Sequence, residues 1–97
     1  MPETVILSSR TERDIQSAYT WYESKQPGLG EEFPGRLREK LEAIRRQPES
    51  SQIIHKNIRR AVLSRFPYVI FYIFGPSRIV VLAILHMSRN PAIWPRR

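Results

Sequence analysis

Apolar positions along the chain change period twice, from strand-like to helical and back. Thr4 to Leu7 is a short, β-branched run stopped by Ser8-Ser9, which predicts a first strand. Ser9 and Glu12 make the S-x-x-E pattern of a capping box, in which each side chain satisfies a backbone N–H at a helix start. Ile15, Ala18, Tyr19 and Tyr22 then recur at i, i+3, i+4 and i+7 and predict a helix with one apolar face, ended by Pro27-Gly28. Phe33, Leu37, Leu41 and Ile44 predict a second helix, with Glu31 and Glu32 at the positive end of its dipole and Arg45-Arg46 at the negative end. Proline fits only the first turn of a helix, so Pro34-Gly35 predicts a distorted start there.

Residues 47–51 are turn-formers, and the segment through Lys56 is expected to be irregular. Three runs rich in Val, Ile, Phe, Tyr and Leu follow: Arg60 to Ser64, Tyr68 to Phe74 and Arg78 to His86. Pro67 and Gly75-Pro76-Ser77 separate them, which predicts antiparallel connections. The expected fold is α+β with the order β-α-α-β-β-β, a strand and helical hairpin packed on a mainly antiparallel sheet.

Strict alternation would put Val69, Phe71 and Ile73 on one face and Ile70 and Phe74 on the other. It would likewise oppose Ile79, Val81, Ala83 and Leu85 to Val80, Leu82 and Ile84. Both faces are then apolar. Two helices cover one of them, and the other calls for the C-terminal tail (Ile93, Trp94), a second copy of the chain or a different chain.

Ninety-seven residues make one domain, 1–97, with no cysteine and therefore no disulfide or thiolate metal site. The start of the chain lacks the pattern of a secretory signal, and no apolar stretch reaches the ~18–20 residues of a membrane span. A cytoplasmic protein with no membrane partner is expected. Charge sharpens the picture. Residues 1–54 carry eight Lys/Arg against nine Asp/Glu, whereas residues 55–97 carry eight Lys/Arg and no carboxylate, so the halves stand at −1 and +8. A half-molecule field of one sign attracts nucleic acid or an acidic protein surface. A solvated basic sheet edge that resists aggregation accounts for Arg59, Arg60 and Arg65 equally well.

Specific residues narrow the class. Asp14-Ile15, Ala18 and Trp21-Tyr22-Glu23 are followed by Pro27-Gly28-Leu29-Gly30 and Phe33. Then come Arg59-Arg60, Leu63, Arg65-Phe66-Pro67-Tyr68-Val69-Ile70, Leu85-His86, Arg89-Asn90-Pro91 and Trp94. In this order and spacing, over nearly the whole chain, they resemble the ParE branch of the RelE/ParE superfamily. The resemblance implies the toxin half of a bacterial type II toxin–antitoxin module, silenced by a ParD-like or similar antitoxin. An acidic antitoxin with an amphipathic element would suit both the open apolar surface and the basic half. Tyr19, Tyr22, Phe33, Leu37 and Phe74 are the expected antitoxin contacts, although aromatic stripes at helical spacing usually pack.

The superfamily divides into ribosome-dependent mRNA endonucleases similar to RelE and gyrase poisons similar to ParE. Metal-free RNA cleavage needs a base for the 2′-OH, an acid for the leaving oxygen and cations for the phosphorus oxygens. Where RelE-like enzymes have Tyr followed by Arg, this chain has Tyr68-Val69, and Trp94 stands where they carry a late tyrosine. Tryptophan has no proton of useful pKa to exchange. The resemblance therefore implies inhibition of DNA gyrase by binding, with no catalytic residue, cofactor or metal. Target contacts are expected from Arg59, Arg60, Arg65, Arg89, Trp94, Arg96 and Arg97. The alternative is a ribosome-dependent endonuclease acting on mRNA through His86, Arg65 and Arg89. A third possibility is a non-toxic member that only binds antitoxin. Homodimerisation of the free chain is a further open expectation.

Overall fold

The computed structural model describes residues 4–88. Strand β1 (Thr4–Leu7) leads into helices α1 (Ser9–Lys25) and α2 (Leu29–Arg46), and a 3-10 turn at Pro48–Ser50 leads to β2 (Gln52–His55). Strands β3 (Ile58–Val62), β4 (Tyr68–Phe74) and β5 (Arg78–His86) complete the sheet. Its order is β1-β5-β4-β3-β2. β1 runs parallel to β5, and the other neighbours are antiparallel. The fold is thus α+β with one mixed sheet, as expected, plus one strand.

The extra strand corrects the irregular segment expected before Lys56. Gln-Ile-Ile-His is too short and polar to stand out in sequence, and pairing with β3 makes it a strand, with a bulge between Ile53 and His55. That pairing also draws β3 forward to begin at Ile58 and end at Val62.

The first helix is capped one residue before the predicted position. Ser8 is the cap, and its Oγ accepts the Thr11 N–H at 3.0 Å, while Ser9 is already helical. The second helix has no side-chain cap of its own and begins after Gly28, at φ 89. Glu23 of α1 supplies the missing acceptor, taking the N–H of Gly28 at 2.9 Å and of Gly30 at 3.0 Å. Pro34 lies inside α2, so the irregular start falls at Gly28 instead. Gly30 lets the helices touch: a Cβ there would lie 2.7 Å from the Tyr19 carbonyl oxygen.

The bulge in β5 overturns the simple alternation. Phe71 pairs with Ala83 but Tyr72 pairs with Val81, so Leu82 is an extra residue. Ala83 and Leu85 therefore leave the face of Ile79 and Val81, and Ile84 joins it. The hairpin covers that face over a core that includes Phe33, Leu37, Ile70, Tyr72, Ile79, Val81 and Ile84. Val69, Phe71, Ala83 and Leu85 form a second cluster on the other face, against Ile54 and Ile58. The expectation that Ile93 and Trp94 cover it falls outside the described residues.

Candidate functional site

Four aromatic rings fix one end of the molecule. Phe66 meets Tyr22 edge-on at 4.8 Å and Phe33 at 5.4 Å, and Tyr68 meets Phe33 at 5.0 Å. Tyr68 also meets the His86 ring at 5.1 Å. The Met87 N–H donates to the Pro67 carbonyl at 2.8 Å, tying the β3–β4 turn to the end of β5. Arg65 stands in that turn with its guanidinium 3.3 Å from Glu32 Oε1. His86 Nδ1 accepts the Ser88 N–H at 3.0 Å. That nitrogen's lone pair is thus engaged within the chain. Two of the three residues of the nuclease alternative, Arg65 and His86, therefore sit on segments tied together at one sheet end. The third, Arg89, lies outside the described residues, as do Trp94, Arg96 and Arg97.

The remaining predicted cations divide. Arg59 is committed within the chain: its Nη1 donates to the carbonyls of Glu49 at 3.0 Å and Ser51 at 2.6 Å, and its guanidinium lies 5.3 Å from the Phe74 ring. Tyr72 pins the same turn by donating to the Pro48 carbonyl at 2.6 Å, and burial pushes its phenol pKa up. Arg59 thus holds the 3-10 turn in place, a role that the charge pattern gave no sign of. Arg60 is half-buried on the sheet face away from the helices, opposite Gln52 and Phe71, with no acidic partner among the described residues.

The expected antitoxin contacts are also sorted by burial. Phe33 is wholly buried in the hairpin core, covered by its own fold at α2's apolar centre. Tyr22 is half-buried within the aromatic cluster. Tyr19 donates its hydroxyl to Glu31 Oε2 at 2.8 Å, and that bond and charge raise its pKa. Phe74 packs against the core beneath Arg59.

Leu37 belongs to a feature that strand and helix patterns gave only in pieces. A groove of about 400 Å³ runs between β1 and the hairpin, lined by Val5, Leu7, Ile15, Pro34, Leu37 and Leu41, with Arg38 and Glu42 beside it. Its lining is largely apolar and its flanks carry one charge of each sign, which suits the apolar face of an amphipathic segment. No group of three or more His, Asp or Glu residues able to hold a metal occurs among the described residues, and no described helix is long and apolar enough to cross a membrane.

This arrangement of sheet and hairpin defines a ParE-like fold. It matches a solved structure described as the chromosomal ParDE TA system from P. aeruginosa with a TM-score of 0.77, covering 88% of this chain and 96% of that chain at 13% identity. No curated protein sequence matches the chain. Residues 5–91 match the family of the ParE toxin of type II toxin–antitoxin system, parDE. The chain belongs to the ParE toxin family.

Proposed function

We propose that this ParE-family chain arrests growth in the cytoplasm by binding DNA gyrase and stabilising its DNA cleavage complex, and that a cognate antitoxin seated in the β1–hairpin groove silences it. The observation that carries the choice of gyrase is Val69. It occupies the place where RelE-like nucleases follow their tyrosine with arginine, and its side chain is wholly buried against Phe71, Ala83 and Leu85. An arginine there would place an unpaired charge in an apolar layer, so this strand is built for packing rather than for stabilising a phosphorane. The target contact falls to Arg65 and Arg60, together with Arg89, Trp94, Arg96 and Arg97. The groove supports the antitoxin assignment because it joins Leu37 to five further apolar or proline positions on a single open surface.

Pulse labelling after induction without antitoxin tests the target. Thymidine incorporation should fall within minutes, with methionine incorporation following late. Early collapse of methionine incorporation would transfer the activity to the ribosome and make His86, Arg65 and Arg89 the residues to substitute.

A further inference from the structure

Arg65 holds its backbone at φ 74, in the left-handed region where a residue with a Cβ is strained and glycine is not. Its neighbours impose the conformation. The Leu63 N–H donates to the Tyr68 carbonyl at 2.9 Å, the Tyr68 N–H donates to the Phe66 carbonyl at 2.7 Å, and both Leu63 and Phe66 are buried. The turn is thus anchored on both sides of its strained residue, and the guanidinium is presented to solvent. Its pairing with Glu32 is a single 3.3 Å contact between side chains 54% and 47% exposed. Such an exposed pair holds weakly and exchanges readily. Strained residues on rigid turns are characteristic of ligand clamps.

We propose that Arg65 anchors a carboxylate on the surface of the protein this toxin poisons, and that Glu32 takes the place of that carboxylate in the free chain. The inference rests on the toxin reading above. A carboxylate is favoured because one already sits on the guanidinium, whose planar fork suits it. The poisoned target is favoured over the antitoxin by position. The groove is built on Val5 and Leu7, which pair with Ile79 and Val81 in the first half of β5, whereas the Arg65 turn bonds Met87 just beyond its end.

The test compares wild type, Arg65→Gly, Glu32→Gln and the swap Glu32→Arg/Arg65→Glu at titrated, quantified soluble levels. The readouts are the level that halves growth rate, the thermal midpoint and antitoxin affinity. Arg65→Gly suits the left-handed backbone, so its midpoint should stay at or above wild type and its antitoxin affinity within twofold. It should need at least ten times more protein to slow growth. Glu32→Gln frees the guanidinium and should need less than wild type. The swap restores an internal ion pair but offers the wrong charge outward, so it should be as weak as Arg65→Gly. Arrest by Arg65→Gly at the wild-type level, or recovery of arrest in the swap, overturns the proposal. A wild-type chain that never slows growth removes the toxin reading itself, a result distinct from either.

Discussion

The carboxylate of Asp14 on α1 accepts the backbone N–H of Ile84 on β5 at 2.9 Å, on a stretch of strand that β1 does not reach. The β1 ladder ends where Leu7 meets Val81, and the start of α1 continues in its place. The Ser8 N–H and the Thr11 hydroxyl both donate to the Val81 carbonyl, at 3.1 and 2.8 Å, and the Ser8 hydroxyl donates to that of Leu82 at 3.1 Å. Three side chains from the helix start thereby serve the edge of β5 and set the angle at which the hairpin crosses the sheet. Asp14→Ala leaves the Ile84 N–H without its acceptor and should cost about 1–3 kcal/mol in urea unfolding. Asp14→Asn keeps an acceptor oxygen and should cost less.

The same carboxylate gives a pH signature. Burial raises the Asp14 pKa above its ordinary 3.8, outweighing the opposing Ile84 N–H, Arg10 and Arg13. The folded chain then holds this proton more tightly than the unfolded chain. Its contribution to stability is complete below pH 3.8 and declines as pH rises through the folded value. Unfolding free energies of wild type and Asp14→Asn between pH 3 and 6 should therefore differ least favourably for wild type at the upper end. A difference that moves the other way would mean that the Ile84 N–H, with Arg10 and Arg13, outweighs burial.

The cap offers a direct choice between the sequence pattern and the structure. Ser9-x-x-Glu12 reads as a capping box, yet Ser8 holds the Thr11 N–H. Ser8→Ala should cost about 0.5–2 kcal/mol, and Ser9→Ala should stay within about 0.5 kcal/mol of wild type. The reverse order in chemical denaturation would restore the capping box.

Much of this fold was legible because its signals are local. The apolar repeat from Phe33 to Ile44 needs no knowledge of partners, and neither do the β-branched runs from Tyr68 to His86. What escaped was set by tertiary pairing. Gln52–His55 became a strand through β3, and the bulge at Leu82 exchanged the faces of Ala83, Ile84 and Leu85. Site residues were legible as chemistry but not as exposure. Arg59 and Arg65 read alike in sequence, and only the fold gives one two carbonyl acceptors and the other an exposed apex. The groove was invisible because its walls come from β1, α1 and α2, distant in sequence.

Helix packing gives a contrast between two glycines of α2. A Cβ on Gly30 would lie 2.7 Å from the Tyr19 carbonyl oxygen and 2.9 Å from Glu23 Oε1, whereas nothing lies within 4 Å of one on Gly35. Gly30→Ala must push the hairpin apart and disturb the cap, and should cost about 1–3 kcal/mol. Gly35→Ala sits in open helix interior and should stabilise by roughly 0.5–1 kcal/mol. Thermal midpoints of the two variants, measured under one condition, should fall on opposite sides of wild type.

The antitoxin groove is tested best at a residue that lines it without filling the core. Leu37 and Leu41 both line the groove, but Leu37 is only 4% exposed and Leu41 is half-buried. A charge at Leu37 threatens the fold itself, since large changes at buried leucines cost about 2–5 kcal/mol. Leu41→Glu can turn its carboxylate to solvent while placing it in the path of an apolar segment, and Arg38 and Glu42 beside it already accommodate charge. Antitoxin affinity should fall at least tenfold, equivalent to about 1.4 kcal/mol, with circular dichroism and the thermal midpoint close to wild type. Toxicity without antitoxin should persist, because the proposed target contact at Arg65 lies beyond the other end of β5. Unchanged affinity in a folded Leu41→Glu would move the antitoxin off this groove. Loss of toxicity together with affinity would mean that target and antitoxin share one surface.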